Sequence, residues 1–157
     1  MAEDTRLIAD RYQLVREIAR GGMGSVHKAV HKVSKKKVAV KLLFPSYAED
    51  AASQARFMRE ASAPAQIGHE GIVEVYDAGV EPDGTLYVAM ELLIGETLRD
   101  RIERGGIGMP EFFWMFQHSL DPLAAAHRAG IVHRDLKPEN LFLLKKSNGQ
   151  VVMKVLD

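Results

Sequence analysis

Runs of apolar and β-branched residues, separated by polar or glycine breaks, divide the chain into elements of two kinds. Residues 12–20, 24–31 and 37–44 read as strands, parted by "GG" and by the polar turn "SKKK". A helix is predicted over 49–63, with Phe57, Ala61 and the 58–65 side forming an apolar stripe. Pro64 should limit it, because proline cannot donate to the carbonyl of residue 60. Residues 72–80 and 85–93 read as two more strands joined by the turn "EPDG".

Beyond Gly95 the pattern changes. "ETLRDRIERGG" predicts a short charged helix ended by its glycines, and residues 110–130 a long apolar helix stopped by Gly130. That second helix is apolar all round, as a helix buried on several sides is. Pro122 within it should cost about 3 kcal/mol as a kink. "NLFLL" and "VVMKVL" then form a hairpin around "SNG". The fold class is α+β in two lobes: a five-stranded antiparallel sheet with one helix over 12–93, and helices plus a hairpin over 94–157.

Composition narrows the function classes. Hydrophobic residues make up 46% and charged residues 27%, which is ordinary for a globular protein and argues against disorder. The 21 basic and 21 acidic residues cancel, so no global field points to nucleic acid or an anionic membrane. The "SKKK" cluster reads as a solvated hairpin tip. There is no cysteine, which excludes disulfides and fits a cytoplasmic location. No apolar run reaches the roughly 18 residues of a membrane span, and the first residues are too charged for a signal peptide. His27 and His31 are four apart on a predicted strand, no second cluster joins them, and zinc is not expected.

The most specific stretch is "HRDLKPEN", residues 133–140. It sets a carboxylate, Asp135, a cation, Lys137, and an amide, Asn140, on one short loop after a helix. Such a loop suits phosphoryl transfer. The carboxylate orients an attacking hydroxyl and accepts its proton, the lysine offsets charge on the moving group, and the amide oxygen holds a metal. The plain alternative is a polar loop whose charges pair among themselves. Eight consecutive positions favour the former, and the loop resembles the catalytic loop of the protein kinases. Lysine two residues after the aspartate resembles the serine/threonine branch.

That resemblance implies roles elsewhere. "IARGGMGSV" resembles the glycine-rich loop that folds over nucleotide phosphates, with Ile18, Gly21, Gly22, Gly24 and Val26 at the ATP. Its "GGMG" wording resembles bacterial, eukaryotic-like serine/threonine kinases. Ala19 departs from the family's first glycine, which is tolerable if its φ is negative, and His27 stands where an aromatic residue is common. "VAVK" resembles the strand of the nucleotide-binding lysine, giving Lys41 to the α- and β-phosphates, Glu60 as its helix partner and Ala39 to the adenine face. Met90 would sit behind the adenine, with Glu91 to Leu93 supplying backbone hydrogen bonds. Arg134 resembles the arginine that grips a phosphorylated activation segment.

The implied cofactors are ATP and Mg2+, with Asn140 and Asp157 as metal ligands. The implied activity is transfer of the γ-phosphoryl group to serine or threonine of a protein substrate. The terminal "VMKVLD" resembles the approach to an Asp-Phe-Gly motif, so the chain reads as interrupted at Asp157. An apolar patch on residues 112–116 is then expected to be exposed and to favour self-association or a partner kinase. A catalytically silent module that binds nucleotide or a partner is the alternative reading.

Overall fold

The structure, a computed structural model, describes residues 6–156. The chain divides into two compact units, one of residues up to 63 plus 74–92, the other of residues 64–73 plus those from 93 on.

The first unit is built on one antiparallel sheet. Its strands are β1 (Leu7–Ile8), β2 (Tyr12–Arg20), β3 (Gly24–His31), β4 (Lys37–Leu43), β5 (Val75–Val80) and β6 (Leu86–Glu91), in the order β1-β2-β3-β4-β6-β5. The sheet therefore has six strands, not five. The extra strand β1 is only two residues long and turns back through Ala9 and Asp10, whose φ values are +50° and +52°. This left-handed turn carries no glycine. The Ala9 amide is held by Glu81 Oε1 at 2.9 Å, and Ile8 is fully buried, which anchors a strand too short to read from pattern.

Antiparallel register decides which side chains share a face. Val26 pairs with Lys41 and Lys41 with Val88; Ala39 pairs with Met90. By the two-residue alternation these lie on one face. The other face carries the core of Leu14, Ala29, Val38, Val40, Leu42, Tyr87 and Ala89.

Helix α1 (Ala51–Ile67) runs one turn further than expected. Asp50 starts it by accepting the Ser53 amide at 2.7 Å. Pro64 lies inside it rather than ending it: the missing N–H frees one carbonyl, while Pro64 O still accepts the Gly68 amide at 3.3 Å. Gly68, with φ +59°, is the real stop. None of its residues is buried, so the predicted apolar stripe stays at best half-covered.

The second unit holds β7 (Gly95–Thr97), α2 (Leu98–Arg104), α3 (Met109–Arg128), β8 (Leu141–Lys145) and β9 (Val151–Val155), with a three-stranded sheet in the order β7-β8-β9. β7 was not anticipated. Gly95 makes it possible, because a Cβ there would stand 1.9 Å from the Leu143 carbonyl. Thr97 and Asp100 cap α2 reciprocally, Thr97 Oγ1 accepting the Asp100 amide at 3.1 Å and Asp100 Oδ2 accepting the Thr97 amide at 3.0 Å.

Residues 72–80 do not form one strand. Ile72 instead makes a parallel bridge to Val155, and the ladder proper starts at Val75. Helix α3 is continuous through Pro122, whose buried ring packs where Gly71 lacks a side chain. Packing against that glycine offsets the lost hydrogen bond. Only one side of α3 is buried, through Met115, Ser119, Pro122 and Ala126, while Phe112, Phe113 and Phe116 are 48%, 58% and 55% exposed. The all-round apolar pattern thus overstated its burial, and the patch expected on residues 112–116 is present.

Gly24 is as constrained as Gly95: a Cβ there would stand 2.0 Å from the Leu42 carbonyl. Gly24→Ala should force β3 from β4 and destabilise the chain by about 1–3 kcal/mol. A thermal melt showing an unchanged midpoint would contradict this packing.

Candidate active site

In the first unit, the face defined by register presents Val26, Ala39, Lys41, Val88 and Met90. Ala39 and Val88 are buried and the other three half-buried, so these five positions are apolar apart from Lys41, while Lys28, paired with Ala39, lies on the same face. Val88 had no role in the sequence reading; its signal was the two-residue spacing from Met90. Glu91 donates its amide to Glu74 O at 2.9 Å and accepts the Glu74 amide on Oε1 at 2.9 Å, which fixes the end of β6. Leu93 follows as half-buried irregular backbone at the start of the second unit.

The β2–β3 turn closes through a hydrogen bond from the Gly21 amide to Gly24 O at 2.9 Å. Gly21 and Gly22 are exposed and have no atom within 4 Å of a notional Cβ. Their backbone is therefore open to a close-approaching ligand, which suits phosphates. Ile18 is 40% exposed at the root of this turn. Ala19 is not among the positive-φ residues, which meets the condition set for the missing glycine. His27 is buried on the opposite face, hydrogen-bonded to Ser25 Oγ at 2.9 Å. Glu60 is exposed on α1, and no ion pair joins it to Lys41 among the described residues.

In the second unit, the loop after α3 brings Asp135, Lys137 and Asn140 together. Lys137 Nζ lies 2.8 Å from Asp135 Oδ2. Buried Asn140 donates through Nδ2 to Asp135 O at 2.9 Å and to Asp135 Oδ2 at 3.2 Å. A turn of 3-10 helix, Pro138–Asn140, delivers that amide, with proline preset at its first position. Because Asn140 Nδ2 is spent on Asp135, its oxygen is directed away and fits a hard cation such as Mg2+. Asp157 lies outside the described residues.

His133 supports the loop in a way the sequence reading missed, although it lies within the quoted motif. Its Nδ1 accepts the Asp135 amide at 3.3 Å, so Nε2 carries the proton and donates to Leu156 O at 2.8 Å. Arg134, between them, is exposed with φ +66°, a conformation costly for a side chain of its size.

The hydrogen bond from Lys137 is the first cause holding the Asp135 carboxyl below the usual aspartate range, with Coulombic attraction to the same ammonium and the Asn140 amide adding to it. For an acid with a depressed pKa, the pair is fully formed above the ordinary value and is lost as pH falls through the depressed one. Carbon-13 titration should therefore place the Asp135 midpoint below that of ordinary aspartates. Lys137→Ala should move it upward; no movement would mean that Lys137 is not the cause.

A model of the protein kinase domain matches residues 12–157. A probable serine/threonine-protein kinase of Streptomyces coelicolor is 42% identical over 99% of the chain, and serine/threonine-protein kinase PrkC of Bacillus subtilis is 37% identical over 92%. The chain spans 23% and 22% of the lengths of these two relatives. The crystal structure of the Mycobacterium tuberculosis PknI kinase domain superposes with a TM-score of 0.83 at 28% identity, over all of this chain and 62% of that one.

Proposed function

Since the chain belongs to the protein kinase domain family and its relatives are bacterial serine/threonine kinases, we propose that its two units carry the nucleotide face and the catalytic loop of a serine/threonine protein kinase. The observation that carries this is the Asp135–Lys137–Asn140 cluster. The substrate would be a protein serine or threonine hydroxyl, with ATP as donor. Its oxygen attacks the γ-phosphorus, the bond from that phosphorus to the β-bridging oxygen breaks, and the hydroxyl proton passes to Asp135. A carboxylate of lowered basicity takes that proton late, so its first task is to orient the hydroxyl. Lys137 would offset charge on the transferring group.

The sequence-derived ATP residues keep their proposed roles. Val26, Ala39, Val88 and Met90 would enclose the adenine, the Glu91–Leu93 backbone would meet its edge, and Lys41 would hold phosphates under Gly21, Gly22 and Gly24. Glu60 would pair with Lys41 only after α1 moves, since it is exposed here. Mg2+, held by Asn140 and Asp157, would supply charge neutralisation on the phosphates. No described helix is long and apolar enough to cross a membrane, and a cytoplasmic site of action is part of the proposal.

Asp135→Asn should lower phosphoryl transfer to a protein substrate by about 10²–10⁴-fold while leaving nucleotide affinity near wild type. If the unmodified chain binds nucleotide and transfers nothing, the silent-module reading replaces this one.

The exposed ladder of Phe112, Phe113 and Phe116, in which the 112 and 116 rings stack at 6.2 Å, favours a contact surface for a second copy or a partner kinase. Phe112→Ser with Phe116→Ser should reduce hydrophobic-dye binding and shift sedimentation toward monomer. A wild-type chain already monomeric and dye-silent would remove the surface from consideration.

A further inference from the structure

The neutral total conceals a strong local imbalance. Between Glu17 and Glu49 the chain has seven lysines and arginines and no carboxylate. Four of those lysines crowd into the turn between β3 and β4 and the first position of β4: Lys32, Lys35, Lys36 and Lys37, all exposed. Lys36 lies over the Tyr76 ring at 3.8 Å. Lys32, Lys35 and Lys37 make no ion pair among the described residues, so their charge faces water uncompensated. At the apex, between Lys32 and Lys35, Val33 is 81% exposed, the most open of the large apolar side chains among the described residues.

The turn is also well formed. The His31 amide donates to Lys36 O at 2.8 Å, the Lys35 amide to His31 O at 2.9 Å, and the Ser34 amide to His31 Nδ1 at 3.1 Å. Its backbone is thus largely satisfied internally, and what it offers outward is side chains: the ammonium groups of Lys32, Lys35 and Lys37 around one aliphatic residue, with Lys36 turned onto Tyr76 near Glu74 and Glu91.

We propose that the tip of the β3–β4 hairpin is a docking surface for an anionic lipid bilayer. A turn whose amides are bonded within it offers no free strand edge to a peptide. Compact, mobile lysine charges suit a diffuse negative surface better than the fork geometry by which arginine recognises single phosphates. The tip has no exposed aromatic side chain on which a nucleic-acid base could stack. Val33 gains only where an apolar layer lies just beneath the charges, as at the headgroup–acyl boundary. The tip is at the opposite end of β3 from Gly24, about 23 Å away at strand rise, so docking there leaves the glycine turn free. The inference does not depend on phosphoryl transfer.

Vesicle co-sedimentation of the purified chain tests it, comparing pure phosphatidylcholine with phosphatidylcholine containing roughly a third phosphatidylserine. The anionic vesicles should bind at least about tenfold better, and the preference should vanish between about 0.05 and about 0.5 M salt. The Lys32→Glu, Lys35→Glu, Lys37→Glu variant should lose the preference with an unchanged melting temperature. Val33→Ser, which leaves the charge alone, should weaken binding several-fold. A control of Lys145→Glu with Lys146→Glu should bind like the parent. Equal binding to both vesicles, or a triple variant that binds normally, would overturn the proposal. So would displacement from the vesicles by polyglutamate or single-stranded RNA at a lower concentration of charge, which would reassign the tip to a protein or nucleic acid.

Discussion

One buried amide organises the loop of residues 133–140. Asn140 Nδ2 is shared between the main-chain oxygen and the carboxylate of Asp135, and its own backbone takes the Leu156 amide at 2.8 Å and gives to Lys137 O at 2.9 Å. Four hydrogen bonds therefore tie three residues, Asp135, Lys137 and Leu156, to the position of this one. Reversing the amide would press its oxygen against two oxygens of Asp135, so its orientation is set by the network. A half-satisfied buried amide would cost about 1–3 kcal/mol, comparable to a large share of what holds any such loop. The strained backbone at Arg134 persists because His133 and Asn140 clamp the chain on either side of it.

A second constraint works in the same way in the first unit. Register, not residue type, puts Val26, Lys41 and Val88 in one row and Ala39 beside Met90. A slip of one residue would exchange this face with the core face of Val38, Val40 and Leu42. The closeness of Gly24 to the Leu42 carbonyl makes such a slip sterically distinctive, because no other residue could occupy that position.

What could be read from the sequence follows from how local each cause is. The strands around residues 12–43, the short charged helix after Gly95 and the eight-residue loop were legible because their determinants lie within a few positions. β1 was not, since the turn that follows its two residues is held at Ala9 by Glu81, far along the chain. β7 depends on Gly95 meeting Leu143, another distant contact. The prolines misled for the same reason. Pro64 and Pro122 carry a local penalty, and only the fold reveals that α1 simply continues and that Pro122 finds the open flank of Gly71. The aromatic side of α3 read as core because composition records what a residue prefers, not what covers it. The site residues were placed by motif, and their faces by alternation, but the exposure of Glu60 was invisible to both.

The glycine turn is a cantilever. Its root is clamped at Gly24, where the backbone meets β4 without room for a methyl group, and its outer end at Gly21 and Gly22 is held only by the turn's own hydrogen bond, with open space where side chains would stand. Any load applied by a ligand is thus converted into deflection of the outer two glycines, while the strands behind them stay in register. The stiffness of the turn is set by the contact at its base, so the same sequence of glycines on a looser root would be held with less precision.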